Sequence, residues 1–433
     1  MMTTKQQTLL YAHIGDLHMP SCFFVYAIVI LATAGVIIRP FKLPEFVWAV
    51  GGAILLVVSG LINPSTAWLG VTKGIDVYLF LTGMMLLAES AREEGLFDWL
   101  ACHATKVSHG SGIKLFILVY IVGLVITAFM SNDATAVVLT PAVAAAMQRA
   151  KVRAPLPYLY ICAFVANAAS FILPISNPAN LVIYGRHMPP LLAWLKLYAL
   201  PSLCAVILTF VILFLTQKKA IRQPVADNIR ELPLSKGARI AFAGIIGTIV
   251  VLLLASLKDW QLGLPTASAG IVTASIVMIT GKKSPFKLIG NISWAILPLV
   301  AGLFVLVEAL SQMGFVEGIS HLLQAYAQRS PAVTGWVSGT TIAIGSNLVN
   351  NLPAGLIAGS AVATNHLPAI VKACVLIGID LGPNLSVTGS LATILWLTEL
   401  RRCGLKVSAW QFLKLGVLVM LPALFAALAA LWI

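Results

Sequence analysis

Charge is what this sequence has least of. Only 10% of its 433 residues are Asp, Glu, Lys or Arg, while 59% are apolar, and the mean hydropathy is +0.95. A soluble domain carries about 25% charge, so a water-soluble globular protein is excluded. Acids are scarcer still, 15 against 28 bases, for a net charge of +13. In a membrane protein surplus Lys and Arg mark cytoplasmic loops, so the balance gives no reason to invoke nucleic acid. The six cysteines, Cys22, Cys102, Cys162, Cys204, Cys374 and Cys403, stand singly with no CxxC. That pattern excludes a disulfide framework and a thiolate metal site, and reads as small buried apolar residues. Walker, GxSxG and HExxH motifs are absent, which removes ATPase and hydrolase chemistry. No cofactor and no metal are expected, and the chain is not read as an enzyme. The first 20 residues are polar and mixed rather than a cleavable leader, and the first apolar run begins near Cys22.

What is present is a series of long apolar runs, the pattern of helices rather than of a membrane β-barrel. Full spans are expected near 21–38, 46–63, 76–100, 192–216, 238–257, 264–280, 291–311 and 410–432. Four more segments are interrupted by polar or Pro-containing tips: 112–130/134–149, 158–174/179–188, 331–345/352–364 and 367–379/388–400. Glu89 and Glu308 lie near the ends of apolar runs and suit helix packing, and the seven histidines fall outside the apolar cores, as loop residues.

The order of elements repeats on either side of the one long hydrophilic stretch, "TQKKAIRQPVADNIRELPLSKGAR". Each half has plain spans, an Asn-tipped pair, a Pro/Asn-broken segment and a last plain span. "NDATA" is matched by "NNLPA", and "SNPANLV" by "LGPNLSV". Two such halves with discontinuous helices are the mark of a secondary transporter whose site lies at the midplane. The expected organisation is a tail (1–22), a first inverted repeat (23–216) with hairpin 112–149, a cytoplasmic linker (217–237), and a second inverted repeat (238–433) with hairpin 331–364. If the Asn-tipped pairs are re-entrant, all of the 28 Lys and Arg fall inside except Lys5, Lys73, Arg186, Lys196, Lys258, Arg329 and Lys372. If each pair is a single crossing, the split is close to even, so the positive-inside rule prefers hairpins. The fold class is therefore all-α integral membrane, with about ten transmembrane helices plus two re-entrant hairpins in two inverted repeats.

An ionised carboxylate at the bilayer centre costs several kcal/mol, so "FMSNDATAVVLTP" needs a reason for Asp133. In the hairpin arrangement four tip clusters converge: Ser131, Asn132, Asp133 and Thr135; Ser176, Asn177 and Asn180; Ser346, Asn347, Asn350 and Asn351; Asp380, Asn384, Ser386, Thr388 and Ser390. Singly, Asn and Ser can simply cap broken helices. As four clusters in repeated order they read as a site made of amides and hydroxyls, with Asp133 and Asp380 as its only charges and no Lys or Arg. Such a site suits a small neutral polyhydroxy solute better than an anion. A carboxylate in a low-dielectric site can also carry a proton. The residues alone point to a proton-coupled secondary transporter for a small neutral or cationic solute.

The wording of the tips resembles a known family. "SNDATAVVLTP", "PISNPANLV", "NNLPAGLIAG" and above all "DLGPNLSVTGSLATILWL" are similar to the arsenite/antimonite efflux permeases, ArsB, of the ion transporter superfamily. The resemblance runs from about residue 23 to 430; "SNPAN" departs from it, since an apolar residue is expected after Ser-Asn. It implies a multi-pass permease of a bacterial or archaeal inner membrane that extrudes arsenite and antimonite in exchange for protons. In some systems it also implies a cytosolic arsenite-stimulated ATPase as partner. On that expectation Asp133 and Asp380 couple protons. Asn132, Thr135, Ser176, Asn177, Asn180, Asn347, Asn350, Asn351, Asn384, Ser386, Thr388 and Ser390 hold the solute. Besides arsenite or antimonite and protons, the expected partners are membrane lipid and no nucleic acid. The alternative is a Na⁺ or carboxylate carrier of the same superfamily.

Overall fold

The computed structural model describes residues 19–185, 188–226, 233–281, 284–363 and 367–433. Most of the expected tail, Arg186, Arg230, Lys282, Lys283 and the histidines His13, His18, His187 and His366 lie outside the described residues. Among those described the fold is all-helical, with one isolated β-bridge between Ser111 and Pro224 and no strand.

The expected spans appear as Met19–Ile38, Glu45–Val58, Leu191–Ile221, Lys236–Leu257, Gly263–Gly281, Ile296–Gln312 and Ala409–Ala430. The span expected over 76–100 is instead two helices, Ile75–Glu93 and Leu96–Val107, divided at Gly95, whose φ of 75° ends the first helix. Five described helices are long and apolar enough to cross a membrane by themselves, or up to seven if two broken pairs each count as one span. Met19–Ile38, Glu45–Val58, Leu156–Ala168 and Asn351–Val362 are apolar over shorter lengths. Three helices were not expected, Pro64–Lys73, Pro285–Asn291 and Phe315–Arg329; each is too short or too polar for a hydropathy reading to find it. Of the remaining histidines, His103 and His321 sit exposed on helices rather than in loops.

Two compact units form. The first comprises residues up to Gly74 together with Trp294–His321. In it Ile296–Gln312 packs on Glu45–Val58 and Pro64–Lys73. Apolar side chains gain nothing by leaving lipid for one another, so close backbone approach has to supply the attraction. Small residues permit it: a Cβ on Gly302 would stand 2.7 Å from the Ala49 carbonyl carbon, and one on Gly70 3.1 Å from Val305 Cα. Glu308, only 9% exposed, is held by Lys73 at 2.5 Å.

The second unit, Ile75–Ser293 with Leu322–Ile433, contains every tip. Ile75–Glu93 lies along Gly263–Gly281 with Gly83 and Gly270 at the seam. Leu191–Ile221 lies along Ala409–Ala430, and Pro331–Val349 along Ala369–Leu381. Glu89 forms a two-point ion pair with Arg92, at 2.7 and 2.5 Å.

The start of the linker is strapped across the ends of the first Asn-tipped pair. Val225 donates its backbone N–H to Gly110 O at 3.0 Å and Ala226 to Ala150 O at 2.9 Å. Gln223 O crowds Gly112 so closely that a Cβ there would lie 2.6 Å away.

Candidate functional site

All four tip clusters fall where helices stop, and each stop has a local cause. At the first, Met130 and Ser131 leave helical geometry, and Ser131 Oγ caps the restart by accepting from Ala134 N at 3.2 Å. The chain continues as Asn132–Ala134, a π-helical turn Thr135–Leu139 and Thr140–Arg149. A π-turn leaves one residue more per turn and is frequent at functional sites. Thr135 Oγ1 meets Thr127 Oγ1 at 2.7 Å, so the two arms are tied just below the tip.

In the second cluster Asn177 caps Pro178–Tyr184, accepting from Ala179 N at 3.0 Å. Ser176 Oγ donates to Ala128 O at 2.8 Å, which ties this break to the first pair. Asn180 donates to Ser170 O at 2.8 Å, and its Oδ1 has no hydrogen-bond partner among the described residues.

The third cluster corrects the expectation. The arm Pro331–Val349 runs past residue 345, so Ser346 and Asn347 are helical and the break falls at Asn350. Asn350 has φ 73° and ψ 152°, a region that side chains seldom occupy and that costs about 1–3 kcal/mol. Its own amide offsets part of this, accepting from Leu352 N and donating to Thr388 O, both at 3.3 Å. Asn347 is the most engaged side chain of the set. It donates to Ala343 O at 2.8 Å and Gly382 O at 2.9 Å, and accepts from Ser386 N at 3.1 Å and Ser386 Oγ at 2.8 Å. Thr388 Oγ1 donates to Asn347 O at 3.1 Å. The second pair and the second break are thus one hydrogen-bonded body.

The breaks of the two halves also meet. Asn177 Nδ2 donates to Asp380 Oδ1 at 2.7 Å. Asn167 Nδ2 donates to Asn384 Oδ1 at 3.0 Å and reaches Thr393 Oγ1 at 3.4 Å, while Asn384 donates to Phe164 O at 3.0 Å. Ser390 closes this group, with its Oγ 2.8 Å from Thr393 Oγ1. Pro178–Tyr184 packs on Asn351–Val362, and Leu391–Arg402 on the π-turn of the first pair. Sequence reasoning missed Asn167 and Thr393. One signal was available: Asn167 is the lone amide of an otherwise apolar helix, Leu156–Ala168, and stands one residue from its end.

Asp380 has no exposed surface and carries one partner on Oδ1 and none on Oδ2. Asp133 is half-buried, and its carboxylate makes no hydrogen bond or ion pair among the described residues. The Asn132 Nδ2 and the side chain of Asn351 are likewise unengaged among those residues. No three of His, Cys, Asp and Glu stand together as a group that could hold a metal, among the residues described. Cys162 and Cys374 are fully buried. The arrangement offers amide and hydroxyl hydrogen bonds and two carboxylates, with no fixed cation.

The family model described as "Citrate transporter" (CitMHS) matches residues 27–377, stopping short of Asp380. The "Arsenical pump membrane protein" of Escherichia coli K12 is 27% identical over 394 residues, which cover 88% of this chain and 91% of that one. The "Putative arsenical pump membrane protein" of Bacillus subtilis 168 is 26% identical over 410 residues, 88% of this chain and 92% of that protein. Among solved structures, the YdaH transporter of Alcanivorax borkumensis aligns with a TM-score of 0.52 over 95% of this chain and 97% of its own, at 14% identity, and at that identity speaks for the fold alone. With a family match over most of its length and its helices built around polar breaks, this multi-pass bacterial inner-membrane chain belongs to the CitMHS family of ion transporters.

Proposed function

We propose that the protein extrudes arsenite and antimonite from the cytoplasm in exchange for protons. The observation that carries the reading is the chemistry of the tips: neutral amides and hydroxyls, two carboxylates and no Lys or Arg. Arsenous acid is an uncharged trihydroxide near neutral pH, so hydrogen bonds suffice to hold it. The names of the E. coli and B. subtilis relatives support the choice of solute. In this reading 23–216 and 238–433 are inverted repeats joined by linker 217–237, and the two Asn-tipped pairs are re-entrant hairpins entering from opposite sides. The parallel packing supports it: each break rests on its own half's pair and touches the other half's break. Solute is met by groups not already spent on the fold, foremost Asn132 and Asn351. Ser176, Asn177, Asn180, Asn347, Asn350, Asn384, Ser386, Thr388 and Ser390 shape the cradle through the bonds described above. Alternating access comes from the tips moving with their breaks against a scaffold.

The description of the family model keeps a carboxylate carrier in play. A citrate-like anion would need balancing charge that the tips lack, unless cations bind with it. Everted membrane vesicles energised by a pH gradient separate the two. We expect As(III) uptake that a protonophore abolishes and that citrate and sodium leave unchanged. Sodium-dependent citrate uptake, with none of As(III), would overturn the assignment.

A further inference from the structure

The two cross-half hydrogen bonds are built alike. Asp380 is the penultimate residue of Ala369–Leu381, the helix before the second break; it is bonded by Asn177, in the first break. Asn167 is the penultimate residue of Leu156–Ala168, the helix before the first break; it is bonded to Asn384, in the second break. Both side chains are at least nine-tenths buried, Asp380 at 0% and Asn167 at 1% exposure. Each uses one arm for the cross-half bond, and each keeps one buried oxygen without a partner among the described residues, Asp380 Oδ2 and Asn167 Oδ1. The positions correspond as the two halves correspond, and only one of them ionises.

Among the described residues, the helices that pack most closely on Ala369–Leu381 carry no other carboxylate. Pro331–Val349 and Asn351–Val362 contribute no ionisable side chain. Pro178–Tyr184 and Leu191–Ile221 contribute the Tyr184–Tyr198 hydroxyl pair at 2.7 Å and Cys204. Leu156–Ala168 brings Tyr158, Tyr160 and Cys162; the cations of the set are Lys372, which lies over the Tyr184 ring, and Lys196, Lys218, Lys219 and Lys414. None forms an ion pair with Asp380. A buried carboxylate with no ion pair is costly as an anion and much less so as a neutral acid.

We infer that Asp380 alone carries the coupling proton and that Asn167 is its non-ionising counterpart at the mirrored crossing, so that the site holds a single proton-carrying carboxylate. Asn177 donates to Oδ1 in either state. The proton arrives on Oδ2 from the outer side and leaves to the cytoplasm, and no other bond changes. Asp133, half-buried and without partners, serves the solute side. The inference rests on the proton-exchange reading above.

Purified protein in liposomes gives two readouts with sodium arsenite as the probe. One is accumulation driven by a pH gradient. The other is exchange of labelled for unlabelled arsenite at equal pH, which needs binding and alternation but no net proton movement. We expect Asp380→Asn to exchange but not accumulate. We expect Asn167→Asp/Asp380→Asn, which moves the carboxylate to the mirrored position, to accumulate again. Accumulation by Asp380→Asn at the wild-type level would overturn the inference, as would a swap variant that exchanges without accumulating. If Asp380→Asn is not recovered folded, Asn167→Asp decides: protons moved per arsenite, read with a pH-sensitive dye, rise if the inference holds and stay unchanged if it fails. A wild type that exchanges but never accumulates under a pH gradient refutes proton exchange itself, an outcome distinct from either failure.

Discussion

Asn347→Ala is expected to lower the stability of the protein by about 3–4 kcal/mol. The side chain makes four hydrogen bonds, to Ala343 O, Gly382 O, Ser386 N and Ser386 Oγ. A net contribution of about 1 kcal/mol each is usual, and the stranded partners add to the loss. Thermal unfolding in detergent should show a markedly lower midpoint, and arsenite exchange should fall with it because the second tip loses its hold on the break. Asn347→Asp separates the roles of the two ends of the amide. It keeps the acceptor for Ser386 but turns a carboxylate toward two carbonyls, so it should be nearly as damaging. A midpoint within a degree or two of wild type for both variants would mean that the second pair and the second break are not held together here.

Gly378→Leu should be at least as severe. Gly378 sits where Pro331–Val349 and Ala369–Leu381 touch backbone to backbone. An added Cβ would collide with Gly339 O and stand 2.6 Å from Ile342 Cγ2. The reciprocal contact is as tight, since a Cβ on Gly339 would stand 2.7 Å from Cys374 O. Neither backbone can yield without moving the helix that carries Asp380, so overpacking should cost about 3 kcal/mol or more. Gly345→Ala, on the same arm, is the control, because its Cβ would meet nothing within 4 Å. It should leave the midpoint unchanged or raise it slightly, as Ala favours a helix over Gly. Full recovery of folded Gly378→Leu from membranes would show that these helices are looser than their contacts imply.

The sequence revealed the tips because polar residues in apolar runs have no other account in a membrane. It drew the third one too wide, ending the first arm at residue 345 and taking Ser346 and Asn347 into the break with Asn350 and Asn351. Nothing in "TTIAIGSNLV" stops a helix, and Ser and Asn at its end bond back to Ala343 O and let it run on to Asn350. The division at Gly95 was legible in "REEGLF", where a glycine follows the charged last turn of a helix. The amphipathic helices Pro64–Lys73 and Phe315–Arg329 were hidden by their polar faces. What no reading of one sequence could supply is which tip meets which. Asn167 and Asn384 are 217 positions apart, Asn177 and Asp380 203. Their pairing is a property of how the halves cross.

The strap at the start of the linker bears on how such a chain could be divided into two genes. Gly110 and Ala150, at the two ends of the first Asn-tipped pair, are both bonded by residues that lie beyond the end of Leu191–Ile221. A first polypeptide ending at Ile221 would leave the carbonyls of Gly110 and Ala150 without their Val225 and Ala226 donors. One that keeps residues 222–226 would carry its own closure. A two-chain version of this protein is therefore expected to hold together better when cut after Ala226 than when cut at Ile221.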